Sequence, residues 1–237
     1  MRSDQRDFGT PRPLTFERGF TKYAPGSVLV SYGDTRVLCN VSIEDRVPSF
    51  LKGSGEGWLS AEYALLPAAT HTRSQREVTK GKASGRTHEI QRLIGRALRS
   101  VVDLSVLGER TLQIDCDVLQ ADGGTRTAAI TGSMVAVWDA VTWLSARSVM
   151  PKFPIRELLA AVSVGVVNGH VCCDLTYEED STAQVDMNVV MTESGQFVEL
   201  QGTAEGQPFA PELLNEMLLV SQEAIAGIIN QIKSELR

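Results

Sequence analysis

The sequence of 237 residues has few of the residue types that mark secreted, metal-binding or membrane proteins. It contains four cysteines and three histidines, and no two cysteines have the Cys-x-x-Cys spacing of a zinc site. Cys39 and Cys116 lie in apolar strand-like runs, which predicts buried free thiols. No segment approaches the roughly 18 uncharged apolar residues of a membrane span, and the first residues lack the apolar core of a signal peptide. We therefore expect a soluble, cytoplasmic protein with no membrane contact.

The charge is distributed unevenly along the chain. The net charge is −6, but residues 71–99 contain eight lysines and arginines against Glu77 and Glu89. This segment therefore carries +6 and the remainder −12. Such an asymmetry indicates a local patch for a polyanion on an acidic body. The alternative is a solvated helix face, which we favour for Arg92, Arg96 and Arg99.

Two tight-turn signals indicate that the chain is built as a duplication. Gly33-Asp34 separates two strand-like runs near the start, and Asn168-Gly169 separates two more in the second half. Each half then ends in a strand, a glycine-bearing turn (Gly123-Gly124 or 202–206) and an apolar helix. The two prolines in 150–154 are typical of a connection. We predict a mixed α+β fold of duplicated β-β-…-β-α units, with halves at 1–149 and 150–237 packed as one unit.

A basic loop and a helix lie between the first hairpin and the glycine turn. Residues 68–84 are small, polar and basic without an apolar stripe, which predicts an exposed, mobile loop. A helix capped by Thr87 is predicted to bury an apolar stripe from Ile90 to Val101. Arg86 stands at its beginning, where the helix dipole disfavours a cation unless an anion binds there too. Arg86 is therefore a candidate phosphate ligand, with a solvent-exposed arginine as the alternative.

The stretch 117–133 predicts an anion site. It passes from an alternating strand through Gly123-Gly124 into an apolar helical run, so the glycines fall at a helix N-terminus. Free N–H groups and the helix dipole favour an oxyanion there, and Arg126 adds a planar fork of donors. The alternative is an ordinary turn capped by Thr125 or Thr127, with Arg126 in solvent. A nucleotide P-loop is disfavoured because no Gly-Lys-Ser/Thr follows.

Carboxylates are concentrated in residues 178–186, which read as a loop leading into a strand. Asp180 and Asp186 are separated mainly by small residues. A pair of this kind can bind a hard divalent cation or supply a general acid. The alternative is an acidic surface loop without a chemical role.

Several stretches, in the same order along the chain, resemble one family, the phosphate-dependent exoribonuclease ribonuclease PH. They span about residues 10–210, and together they make a specific match. The matching stretches are Gly26-Ser-Val-Leu-Val, Gly33-Asp-Thr-Arg-Val-Leu-Cys39, Gly57-Trp-Leu-Ser-Ala-Glu-Tyr63, Leu66-Pro67, Gly85-Arg-Thr-His-Glu-Ile-Gln-Arg-Leu-Ile94, residues 115–127 and 180–191, and Gln201-Gly-Thr-Ala-Glu-Gly206.

The resemblance implies a reaction in which bound inorganic phosphate attacks the last phosphodiester of an RNA 3′ end and releases a nucleoside 5′-diphosphate. The reverse reaction adds nucleotides. The implied partners are tRNA precursors and further copies of the chain in a hexamer built as a trimer of dimers. By the same resemblance, phosphate is held by Arg86, Gly124, Thr125 and Arg126, catalysis and Mg²⁺ binding involve Asp180 and Asp186, and tRNA is held by Arg73 and Arg76.

The chain departs from the family pattern at Ala68, where an arginine usually follows Leu-Pro. This departure predicts a lower affinity for tRNA rather than a change in the reaction. Two other classes of protein stay open. A non-catalytic ring subunit would have lost the aspartates or the phosphate-site arginine, and this chain keeps both. A small-molecule kinase is suggested by a loose likeness of Gly-Gly-Thr-Arg-Thr-Ala-Ala to the phosphate loop of the GHMP kinases, but the basic loop and the missing Pro-x-x-x-Gly-Leu-Gly-Ser run count against it.

Overall fold

A computed structural model of the protein describes residues 2–147 and 150–237, without the side chains of Val78 and Lys80. The first half forms a five-stranded sheet in the order β1-β2-β3-β5-β4. All neighbouring strands are antiparallel except β4 and β5, which are parallel. The strands are β1 (Leu14–Arg18), β2 (Gly26–Tyr32), β3 (Thr35–Glu44), β4 (Trp58–Leu65) and β5 (Thr111–Gln120).

The second half forms a separate antiparallel sheet of four strands in the order β7-β6-β8-β9. Its central strand β6 is buried on both faces, which explains why its sequence is an almost continuous apolar run rather than an alternating one. The strands are β6 (Leu159–Val167), β7 (His170–Cys173), β8 (Val185–Thr192) and β9 (Phe197–Ala204).

Helices fill the space between the sheets and cover the second one. Helix α3 is buried over most of its length because it packs on β2 and β3 on one side and on β6 on the other. Helix α1 packs beside it on β4, and α5 covers β6 and β7. The helices are α1 (Gly85–Val101), α2 (Leu104–Leu107), α3 (Thr125–Ser145), α4 (Tyr177–Asp180) and α5 (Pro211–Glu235), and short 3₁₀ turns occupy Ser49–Leu51 and Glu77–Lys80.

Two glycines allow the central helix to lie close to the first sheet. A Cβ atom at Gly26 would overlap the carbonyl oxygen of Ala136 in α3, and one at Gly132 would lie 2.5 Å from Val30 of β2. Interiors packed this tightly do not absorb an added methyl group without shifts that cost about 1–3 kcal/mol. The close packing therefore fixes where α3 begins relative to the end of β5.

The structure confirms the predicted α+β duplication. Both hairpins are present, with Tyr32 paired to Thr35 and Val167 paired to His170 across two-residue turns. All four cysteines are buried and free, which confirms the prediction made for Cys39 and Cys116. No helix in the described part of the chain is long and apolar enough to cross a membrane. The division at residue 150 stays a prediction.

Two local predictions are wrong. The cap of α1 is Ser84, whose hydroxyl accepts the N–H of Thr87 at 3.1 Å, while the hydroxyl of Thr87 donates to Glu77 at 2.8 Å. The segment 178–186 does not begin as a loop, because residues up to Asp180 form the short helix α4, whereas the strand predicted from Asp186 is present as β8. In both cases the sequence indicated that a helix or strand begins nearby. It did not show the hydrogen bonds that fix the terminal residue.

Candidate active site

Parallel pairing of β4 and β5 brings two helix N-termini to one end of the first sheet. Helix α1 connects these strands and runs back between them, so it begins near the end at which both strands finish. Helix α3 begins directly after β5 at that same end. Arg86 in the first turn of α1 and Arg126 in the first turn of α3 therefore come together, although 40 residues separate them in sequence. The carboxyl end of the parallel pair becomes the site, as in other sheets with parallel strands.

The glycine turn that precedes α3 requires glycine. Gly123 and Gly124 have φ angles of +74° and +62°, in the left-handed region that other residues adopt at a cost. Gly124 is the N-cap, so the alternative caps Thr125 and Thr127 are wrong. Within the described residues, the backbone N–H groups of Thr125 and Arg126 have no acceptor. They are free to donate to a ligand, and the oxyanion expected there stays a prediction.

Arg126 does not extend freely into solvent. Its Nη1 atom donates to Oε1 of Gln201 at 2.7 Å and lies 3.5 Å from Oε1 of Glu89. Gln201 in turn donates to the same oxygen of Glu89 at 2.9 Å. Glu89 comes from α1 and Gln201 from β9, so residues of both halves orient the guanidinium. One face of its donor fork is used for positioning, and the remaining donors are left for a ligand.

Arg86 differs from Arg126 because it has no hydrogen bond or salt bridge to any residue that the structure describes. It is exposed and lines the same cavity. An arginine at a helix N-terminus is electrostatically unfavourable without an anion. Its charge is felt by the nearby carboxyls, since Arg86 opposes the rise in the pKa values of Asp180 and Asp186.

The two aspartates face this basic side of the site. Burial raises the pKa of Asp180, against the charges of Arg86 and Arg126. Burial, with a further contribution from the charge of Asp180, raises the pKa of Asp186 to about 6. The two carboxyls are therefore close enough to influence each other, which their spacing in the sequence only suggested.

One cavity of about 500 Å³ is lined by both arginines, the glycine turn and both aspartates. Its wall includes a buried tyrosine, Tyr63, whose hydroxyl lies 2.8 Å from Oγ1 of Thr125 and fixes the start of α3. The cavity thus places two guanidinium groups and free N–H groups beside two carboxyls with raised pKa values. The predicted site residues that line it are Arg86, Gly124, Thr125, Arg126, Asp180 and Asp186.

The donor set is suitable for Mg²⁺ of the kind that binds with a substrate. Among the residues described, no group of three His, Cys, Asp or Glu side chains is arranged to hold a metal ion. Mg²⁺ is commonly held by one or two carboxylates together with substrate phosphates and water. Asp180 and Asp186 can supply those carboxylates, and a phosphate at the neighbouring arginines can supply the other oxygens.

The two arginines of the basic loop lie outside the cavity. Arg73 and Arg76 are exposed, and neither lines the cavity, although Ser74 and Gln75 between them do. The charge of Arg76 reaches Asp117 on β5, where it opposes the rise in pKa that burial causes. These two arginines therefore lie outside the cavity, separate from Arg86 and Arg126.

The sequence did not reveal the residues that hold the glycine turn in place. Arg12 is buried and forms a bidentate pair with Asp174, with Nε–Oδ2 and Nη2–Oδ1 distances of 2.8 and 2.7 Å. The same guanidinium donates to the carbonyl oxygen of Asp122, and the hydroxyl of Thr35 donates to that of Gly123 at 2.6 Å. These contacts join the N-terminal segment, the turn and the second half.

A second buried pair supports the first. Arg2 donates to both carboxylate oxygens of Glu179 at 2.8 and 2.7 Å, and to the carbonyl oxygen of Cys173 at 2.7 Å. Burial raises the pKa of Glu179, but the hydrogen bonds from Arg2 and from the N–H of Thr176 outweigh it, so this pKa is lower than usual. Glu179 therefore has a structural role inside the acidic segment that contains Asp180.

Comparison with known proteins gives a consistent result. Residues 10–142 match the model of domain 1 of the 3′ exoribonuclease family, RNase PH, and residues 157–224 match the model of domain 2. A structure of Rrp46 from rice (Oryza sativa) is 19% identical with a TM-score of 0.81, and the match covers 100% of both chains. A chain of the Archaeoglobus fulgidus exosome with RNA bound to the active site is 22% identical with a TM-score of 0.82, covering 100% of this chain and 92% of that one. A chain of an archaeal exosome core is 22% identical with a TM-score of 0.79, covering 98% and 91%. At these identities the solved structures establish the fold.

Proposed function

The chain belongs to the RNase PH family of 3′ exoribonucleases, and we propose that it is a phosphorolytic 3′-to-5′ exoribonuclease that trims tRNA precursors in the cytoplasm. The observation that carries this proposal is the cavity in which two arginines and a free helix N-terminus face two aspartates. The products would be nucleoside 5′-diphosphates, and the reverse reaction would add nucleotides to RNA 3′ ends.

The basic groups of the cavity are suited to bind the attacking phosphate. Its oxygens would accept hydrogen bonds from the N–H groups of Thr125 and Arg126 and from the side chain of Arg86. Inorganic phosphate is already a nucleophile near neutral pH, so no strong base is required. Holding it in line with the RNA phosphorus is the main task, because phosphoryl transfer is accelerated chiefly by positioning and charge stabilisation.

Asp180 and Asp186 would act on the 3′ end of the RNA. As one phosphate oxygen bonds to phosphorus, the bond from phosphorus to the O3′ atom of the preceding nucleotide breaks, and that oxygen needs a proton. Asp186, with its pKa raised to about 6, is the candidate donor. When bound, Mg²⁺ would neutralise charge on the scissile phosphoryl group. Asp180 is proposed to hold it as a carboxylate, and Asp186 through the oxygen that does not carry the proton.

The basic loop is proposed to hold the folded part of a tRNA precursor. Arg73 and Arg76 are exposed outside the cavity, which suits contact with phosphates of a stem rather than with the reacting end. Ala68 at the same loop is also exposed and offers no charge. We expect tRNA affinity to depend on the two arginines for that reason.

The test of the reaction uses purified protein, Mg²⁺ and an RNA carrying a label in its 3′-terminal nucleotide. With inorganic phosphate, the labelled product should be a nucleoside 5′-diphosphate, and shortening should stop when phosphate is omitted. A supply of nucleoside diphosphates should lengthen the RNA. Nucleoside monophosphates released without phosphate would show a hydrolytic enzyme and would contradict the proposal.

A second candidate is one subunit of a mixed ring. It is favoured by the similarity to chains from two archaeal exosome structures. We prefer a homohexamer, because the chain carries both the arginines and the aspartates of the site itself. Sedimentation of the purified chain alongside the phosphorolysis assay separates the two. An active hexamer supports the homo-oligomer, and an inactive smaller species that gains activity only with other subunits supports the mixed ring.

A further inference from the structure

Two aromatic rings meet at the wall of the candidate active site. The rings of His71 and Tyr177 are 5.2 Å apart between centroids and tilted by 42°. Both residues line the cavity that contains the arginines and aspartates. Tyr177 is 51% exposed, whereas Tyr63 on the same wall is only 2% exposed. A large ring with so much free surface in a catalytic cavity has a face available to a ligand.

The position of Tyr177 is fixed relative to the glycine turn. Its backbone N–H donates to Oδ1 of Asp122 at 3.1 Å. A Cβ atom at Gly123 would lie 3.0 Å from the same nitrogen, so the backbones of the two segments touch. Tyr177 also begins α4, the single turn of helix that ends at Asp180. The ring is therefore attached to a rigid point between the phosphate-facing turn and the first carboxylate.

The aromatic pair also forms a boundary with a second cavity. This neighbouring cavity, of about 450 Å³, shares Thr70, His71, Ala121 and Tyr177 with the first. Its remaining wall contains three carboxylates and, among the residues described, no lysine or arginine; the carboxylates are Asp34, Asp122 and Glu178. A phosphate would be repelled there, but a nucleobase, which is uncharged and carries amino or imino donors, would not.

We propose that Tyr177, supported by His71, is a stacking site for the base of the 3′-terminal RNA nucleotide. The inference rests on the proposed function, because it takes the scissile phosphate to lie between the arginines and the aspartates. The rings are too close for a base to enter between them, so the base stacks on the free face of Tyr177 and His71 supports the ring from the other side. Stacking of this kind tolerates every base, since each has a π face.

The test compares two RNA oligonucleotides that differ only in whether the 3′-terminal nucleotide has a base or is abasic. Wild-type protein should have a KM for phosphorolysis about tenfold lower for the RNA with the base. Tyr177→Ala should lose most of this preference, and Tyr177→Phe, which keeps the ring, should retain it. Tyr23→Ala is the matched control, since this tyrosine is 90% exposed and lines neither cavity. Equal preference in Tyr177→Ala and wild type would overturn the proposal.

A binding measurement keeps this test independent of the reaction. RNA with 2-aminopurine at its 3′ end should lose fluorescence when it binds wild type, Tyr177→Phe or Tyr23→Ala, because a stacked 2-aminopurine is quenched. It should stay bright when bound to Tyr177→Ala. Binding without quenching in wild type would overturn the stacking site even if phosphorolysis is confirmed. Quenching by wild type that disappears in Tyr177→Ala would support the stacking site even if no diphosphate is formed, in which case the proposed function alone fails.

Discussion

Both halves of the molecule contain a hairpin and close with a strand, a glycine-bearing turn and a helix, but the N-terminus of that last helix is suited to an anion in the first half and not in the second. Helix α3 begins directly after Gly124, has Arg126 in its first turn and has no acidic residue there. Helix α5 begins at Pro211, with six residues between it and the end of β9, and has Glu212 in its first turn. Proline removes a donor, and a carboxylate already satisfies the positive end of the dipole.

This difference reflects which functional groups each half supplies to the candidate site. The first half supplies Arg86 from the start of α1 and Arg126 with free N–H groups from the start of α3, and the second half supplies Asp180 and Asp186 from α4 and β8. Neither half holds both sets. The interface between the halves, where Gly123 touches the backbone near Tyr177, therefore decides whether the arginines and the carboxylates face each other. The predictions below test this division.

The largest effect is expected from removing either set of charges. Arg86→Ala and Arg126→Ala should each lower phosphorolysis by about 10³-fold, because each removes a charge-assisted contact to the attacking phosphate. Asp180→Asn and Asp186→Asn should abolish it with the fold and oligomer preserved, and excess Mg²⁺ should restore neither. The measurement is the rate of diphosphate release from a short RNA.

Matched controls make this result specific. Arg92→Ala removes an exposed arginine from α1, and Glu178→Gln removes an exposed carboxylate from α4. Neither residue lines the active-site cavity. Both variants should keep near-normal rates. Full activity in any of the four site variants would remove that residue from the site, and a large loss in the controls would point to general damage.

A smaller but substantial effect is expected from Gly123, which packs against the backbone of the second half. Gly123→Ala should lower the free energy of unfolding by about 3 kcal/mol, because it combines a left-handed backbone with overlap on the carbonyl oxygen of Leu175. Gly206→Ala in the equivalent turn of the second half should cost only about 1 kcal/mol, since φ is +98° but no atom lies within 4 Å. Urea unfolding measures both. Similar losses would show that the first turn is not specially constrained.

The ionised carboxylate of Asp186 should lower the free energy of unfolding at neutral pH. The folded-state pKa of Asp186 is raised to about 6, mainly by burial and further by Asp180, whereas an unfolded aspartate titrates near 3.9. The favourable contribution of the protonated form is complete below about pH 4 and is lost as the pH rises through 6. Without divalent ions, Asp186→Asn should therefore be more stable than wild type at about pH 8, by about 1–2 kcal/mol after solvent screening.

The pH comparison supplies its own control. At about pH 3, below the pKa in either state, the carboxyl is protonated in both the folded and unfolded states, so the difference between Asp186→Asn and wild type should nearly vanish. Urea unfolding with a chelator present measures both values. A gain that is the same at the two pH values would mean that packing, and not ionisation, causes it.

The smallest effect concerns the loop outside the cavity. Arg73→Ala combined with Arg76→Ala should weaken the binding of a tRNA precursor and reduce the slope of log K against log salt by about two units, one for each lost phosphate contact. Phosphorolysis of a short single-stranded RNA should stay nearly unchanged, because neither arginine lines the cavity. Equal losses on both RNAs would show that the loop serves the reacting end itself.

Most of the fold could be predicted from local patterns. The two-residue turns, the strands on either side of them and the apolar helices follow from turn chemistry and periodicity, which depend on neighbouring residues only. The short strand β1 was not predicted, and the parallel pairing of β4 with β5 was not either. Strand pairing of this kind depends on which surfaces the helices leave free, and a single sequence does not state it.

The sequence by itself determined where an anion site can form, because two glycines before an apolar helix and an arginine inside its first turn are enough to create unsatisfied donors. It also located the aspartates, through the resemblance to a family. Only the tertiary structure decided that these groups face one cavity, and that Arg12 pairs with Asp174 across 162 residues. The physical reason is that a buried charge takes as its partner the carboxylate that packing brings beside it, and packing is a property of the whole fold.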